Sequence, residues 1–172
     1  MEDKKTVYWV IGIALVLFFV LGGMNLLKGQ SQGAVLDVKL SIVEPETFAI
    51  VTGTKTLVDV VTVPFDLTIT NGGQIPFTNV RIGTGTIPPA LATAFAGKSI
   101  AALGPGESKH LIANVDVASL APATGSNIFN FQAYILADYA VGTETFTKSG
   151  FSSALPVTIS PSAGIAVSVT YS

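Results

Sequence analysis

Twenty-one consecutive residues, Val7 to Leu27 (VYWVIGIALVLFFVLGGMNLL), carry no charge. As a helix rising about 1.5 Å per residue they would be about 31 Å long, the thickness of a bilayer's hydrocarbon core. No polar stripe interrupts the run, so a buried soluble helix is disfavoured. Tyr8 and Trp9 stand at its start, where aromatic rings favour the membrane–water interface. Lys4 and Lys5 precede it and only Lys28 follows closely, a bias toward N-terminus inside and C-terminus outside. The expected organisation is a cytoplasmic tail over 1–6, a transmembrane helix over 7–27, a polar linker over 28–33 (KGQSQG) and an extracytoplasmic domain over 34–172.

Two other readings of this segment stay open. Ser31 and Gly33 place small residues at −3 and −1 of a possible signal-peptide cut before Ala34. Alternatively, Lys4-Lys5-Thr6 before Val7, with a β domain behind, resembles archaeal type IV pilin-like proteins, whose short charged leader is cut just before the hydrophobic helix. An uncleaved anchor fits best, because the apolar run exceeds the 7–15 residues usual for a signal peptide.

Behind the linker the hydrophobic period changes to two. In Val35–Val43, Leu36, Val38, Leu40 and Ile42 alternate with Asp37, Lys39 and Ser41, the pattern of a strand with one buried and one wet face. Further strands are expected at Phe48–Thr52, within Thr56–Asn71, at Phe77–Ile82, Ser99–Leu103, around Leu111–Val117, Asn127–Ala137, Gly142–Lys148, Leu155–Ile159 and Gly164–Tyr171. Within Thr56–Asn71, Pro64 marks a break or an edge position. Asn71-Gly72-Gly73 and Gly104-Pro105-Gly106 are turn signals, and Pro88-Pro89 opens a short helical turn. Eight to ten strands with turns between them predict an all-β fold, an antiparallel sandwich.

The stretch Val63–Gly73 (VPFDLTITNGG), then Phe77–Ile82, then Ile100–Leu111 (IAALGPGESKHL) resembles the immunoglobulin-like surface modules of prokaryotes of the CARDB type. The same residues are similar to the water-stress and hypersensitive-response domain, another membrane-tethered sandwich. Both resemblances imply an Ig-like β-sandwich, and neither implies chemistry.

Composition narrows the function. Net charge is −2 with scattered lysines, which leaves no basic footprint for nucleic acid. Absence of Cys removes disulfide scaffolds, thiolate metal sites and thiol catalysis. Charged residues are 12% of the chain, about half the usual share, which suits large buried contacts with a partner or with other copies.

Residue by residue, no catalytic, cofactor-binding or metal site is expected. His110 is the single histidine and alternation puts it on a wet strand face. Glu44 and Glu46 flank Pro45 in a turn, while Asp59, Asp66, Asp116 and Asp138 fall on wet faces or strand ends. Gly83-Thr84-Gly85 lacks the lysine and following helix of a phosphate loop. Of the aromatic group Phe129, Phe131 and Tyr134, the two phenylalanines fall on the core face; Arg81, the single arginine, is expected to be a solvated strand residue. The expectation is therefore a non-enzymatic protein, without cofactor or small-molecule substrate, that contacts the lipid bilayer through 7–27 and a protein partner through its β domain. The alternative is a structural subunit, self-associating in a pilin-like surface filament or held in a virion membrane.

Overall fold

Period-two alternation becomes twelve strands in the computed structural model, which describes residues 33–43, 49–51, 54–161 and 165–170. The strands are β1 (Leu36–Ile42), β2 (Ala49–Val51), β3 (Thr54–Leu57), β4 (Thr62–Asn71), β5 (Phe77–Ile82), β6 (Ser99–Leu103), β7 (Ser108–Asp116), β8 (Asn127–Phe131), β9 (Tyr134–Val141), β10 (Glu144–Phe151), β11 (Leu155–Ser160) and β12 (Ala166–Thr170). One helix, α1 (Pro89–Phe95), lies between β5 and β6. The expected transmembrane segment 7–27 and most of the linker lie outside the described residues. Among the described residues no helix is long and apolar enough to cross a membrane.

Among the described residues all strand pairings are antiparallel and form three sheets: β1-β4-β7, β10-β9-β5-β6 and β2-β3-β12-β11-β8. The fold is therefore all-β, as the alternation requires. Each sheet turns one face inward. Phe65, Leu67 and Ile69 of β4, Phe77 and Val80 of β5, Ile135 and Ala137 of β9, and Val157 and Ile159 of β11 join one core cluster. Phe65 stacks on Phe131 with ring centroids 4.9 Å apart, tying the three-stranded sheet to the five-stranded one. Burying a side chain of this size stabilises by about 2 to 3 kcal/mol relative to leaving it in water.

Asn127–Ala137, expected as a single strand, is two. Phe131 ends in the five-stranded sheet and Tyr134 begins in the four-stranded one. The return path breaks at the matching place, between Phe151 of β10 and Leu155 of β11. Ser152 holds the bend: its N–H donates to the Ala133 carbonyl and its hydroxyl accepts from the Ala133 N–H, both at 2.9 Å. The alternation survives the switch, so periodicity alone does not reveal it.

Pro64 also departs from expectation. It lies inside β4, which is paired on both sides, by β1 and by β7. The β1 ladder ends at Ile42↔Phe65, and the Pro64 carbonyl accepts from Val43 N–H at 2.9 Å. A residue's N–H and C=O point to the same side of a strand, so the missing donor falls where β1 stops. The chain break expected near it comes earlier, between Leu57 and Thr62.

Pro89 opens α1 at the position where a missing N–H removes no helical bond. The helix buries Leu91 and Phe95 and packs against β7. Asn71 closes β4: its side chain donates to the carbonyls of Ile75 (2.8 Å) and Leu103 (3.1 Å) and accepts from Gly73 N–H (3.0 Å). A Cβ at Gly73 would overlap the Gly33 carbonyl, so only glycine lets the two chain segments approach there.

Candidate interaction face

The outward face of the four-stranded sheet gathers the polar and aromatic groups that the core excludes. Along β9, Ile135 and Ala137 point inward, which turns Tyr134, Leu136 and Asp138 out. On β10, Thr147 lies opposite Asp138 and Phe151 opposite Tyr134. On β5 the ladder shifts: Thr78 faces Asp138 while Arg81 faces Leu136, so β5 carries one extra residue. The bulge sits at Asn79, whose φ of 48° is left-handed, a conformation asparagine adopts more readily than most residues. It aims Asn79 and Arg81 at the same carboxylate.

That carboxylate accepts three side-chain hydrogen bonds. Asp138 Oδ1 accepts from Thr147 Oγ1 at 2.7 Å; Oδ2 accepts from Asn79 Nδ2 at 2.7 Å and from Arg81 Nη1 at 2.8 Å. Arg81 Nη1 also donates to the Asn79 carbonyl at 2.9 Å. The Thr147 hydroxyl first, then the Asn79 amide and the Arg81 guanidinium, hold the Asp138 carboxyl below the usual carboxylate range. The network ties β5, β9 and β10 together and fixes the shape of the face.

Beside it stands an aromatic pair. Tyr134 and Phe151 have ring centroids 4.5 Å apart, tilted by 31°. The Tyr134 ring lies so close over Gly83 and Gly85 that a Cβ at Gly83 would overlap it. With Tyr134 clamped beneath, Phe151 remains 57% exposed. An open groove of about 450 Å³ adjoins the network between the end of α1 and β5, lined by Arg81, Gly83, Phe95 and Lys98 among others. Nearer the hairpin tip, Phe146 stacks on Tyr139 (5.7 Å) from the inward side and is 41% exposed.

The other residues singled out from sequence are dispersed. His110, exposed on β7, has Nδ1 2.9 Å from Asp66 Oδ2 and 3.2 Å from Thr68 Oγ1. A nucleophile–His–carboxylate relay uses both ring nitrogens, whereas here hydroxyl and carboxylate share one. Asp116 Oδ1 accepts from Ser119 N–H in a 3-10 turn, and Asp59 sits exposed at φ 58° in the β3–β4 connection. Phe131 is core, Phe129 packs against the core, and Glu44 and Glu46 lie outside the described residues. Among the described residues no three His, Asp or Glu side chains converge as metal ligands would.

Alternation puts Asp138 on a wet face or strand end, leaves Tyr134 off the core face that takes Phe129 and Phe131, and makes Arg81 a solvated strand residue; nothing in it points to Phe151. The bulge at Asn79 brings Arg81 to Asp138, and the β9–β10 register brings Phe151 to Tyr134; neither has a local sequence signal. No family model matches the chain, and no curated protein matches it either.

Proposed function

We propose that the chain is a single-pass membrane protein, N-terminus inside, whose Ig-like β-sandwich stands outside and binds or scaffolds a protein partner of the envelope or of a membrane complex, without catalysis. The uncharged run 7–27, with lysines ahead of it, supports the anchor.

One observation carries the binding role: Phe151 stays exposed against the clamped Tyr134 ring, on the same outward sheet face as the ordered Asp138 network. Protein interfaces concentrate their energy in a few aromatic anchors surrounded by a polar rim, and a pre-ordered anchor loses little conformational freedom on binding. A partner would cover the Phe151 ring and meet the Thr and Ser side chains that share β10's outward face.

Binding of the full-length protein, reconstituted in liposomes, to the envelope fraction of its source cells tests this. Phe151→Ala should weaken binding about tenfold or more, within the range for an aromatic anchor, while His110→Ala, on a different sheet, should leave it unchanged. Equal binding by wild type and Phe151→Ala would refute the assignment of the face.

A further inference from the structure

β10 is the outermost strand of its sheet. Its ladder with β9 runs unbroken from Glu144↔Val141 to Phe151↔Tyr134, and among the described residues no strand pairs with its other edge. Only Gly142 and Thr143 separate the two strands, so Val141 and Glu144 form the hydrogen-bonded pair that flanks a two-residue turn. By alternation the N–H and C=O groups of Glu144, Phe146, Lys148 and Gly150 point toward β9, and those of Thr145, Thr147 and Ser149 point away. Folded proteins usually blunt such an edge with proline, a bulge or a charge. β10 has neither proline nor bulge, and its one positive charge, Lys148, is preceded by Glu144.

We infer that this edge is an interaction surface for a second copy of the chain, paired antiparallel along β10 about a two-fold axis at Phe146. Free backbone groups meet free backbone groups only where odd-numbered residues face odd-numbered ones, which restricts the axis to a residue rather than a peptide bond. An axis at Lys148 sets the two lysines against each other. An axis at Thr147 leaves Glu144 opposite Gly150 and Lys148 opposite Phe146. An axis at Phe146 sets Glu144 opposite Lys148 in both halves, stacks Phe146 on its counterpart, and lets Thr145 and Thr147 exchange the backbone hydrogen bonds. Opposite charges and aromatic pairs directly across a ladder are the stabilising combinations. The result is a closed dimer in which the two four-stranded sheets run on as one, a symmetric arrangement that ends after two copies. It depends on the edge of the sheet and stands independently of the role assigned to the Phe151 face.

The chain has no cysteine, so single substitutions report the register directly. Full-length Phe146→Cys, Thr147→Cys and Lys148→Cys proteins, purified in detergent, are oxidised and the covalent dimer is quantified. Residues facing each other in a non-hydrogen-bonded pair have Cα atoms about 4.5 Å apart, within disulfide reach. Phe146→Cys should give at least about fivefold more dimer than the other two variants. No dimer from any of them, or most from Thr147→Cys or Lys148→Cys, would overturn the inference. Sedimentation gives a second reading that needs no cysteine. Lys148→Glu should weaken association about tenfold by placing like charges opposite, and Glu144→Lys/Lys148→Glu should restore it. Association indifferent to Lys148→Glu, or not restored by the swap, would equally overturn it.

Discussion

Asn71 and Asp138 show how much a single side chain organises in this molecule. Asn71 is fully buried, and its amide spans two otherwise unconnected carbonyls while its oxygen closes the following turn. Replacing it by alanine strands those partners, so Asn71→Ala should lower stability by about 2 to 3 kcal/mol, read from the urea midpoint at unchanged slope. The turn itself was legible in Asn71-Gly72-Gly73. The reach to Leu103 was not, because it depends on β6 being folded alongside. Asp138 predicts a pH dependence. Its carboxyl is held below its unfolded value, so the folded state binds fewer protons and gains stability above that value. The contribution is fully present at neutral pH and is lost as pH falls below about 3.9 toward the lower folded value. Asp138→Asn should therefore flatten the acid limb of a stability–pH curve. The loss at neutral pH should be about 1 kcal/mol, because the Arg81 side chain is 35% exposed and water screens the pair.

At the scale of elements, alternation made most strands legible, and the short helix followed from Pro88-Pro89. The switch between sheets was hidden, since Phe129, Phe131, Ala133, Ile135 and Ala137 keep one rhythm through the bend. What permits the bend is Ser152, nineteen residues downstream of Ala133, which bonds both backbone groups of that residue. Ser152→Ala should cost about 1 to 2 kcal/mol by leaving the buried Ala133 N–H unpaired, with hydrogen exchange accelerated at Ala133 before other core amides. Phe65→Ala removes one half of the stack that joins two sheets and should cost about 3 to 5 kcal/mol in the same denaturation assay. Pro64 teaches the complementary lesson. A proline within a doubly paired strand looks forbidden until the neighbouring ladder is known to end beside it.

For the whole molecule, the all-β class follows from period-two patterning, and membrane attachment is proposed from the uncharged run 7–27. The sheet face proposed as the partner surface was not legible, because that face exists only once β5, β9 and β10 lie in register. The low share of charge in the chain agrees with a domain whose exposed aromatic surface is covered in use. The most direct test of the account is site-specific photocrosslinking in the source cells, with the reactive residue introduced at Phe151 or, for comparison, at His110. The account predicts a discrete adduct with a second protein in the membrane fraction from position 151 and none from position 110. Adducts from position 110 alone, or recovery of the protein outside the membrane fraction with no adduct from position 151, would contradict it.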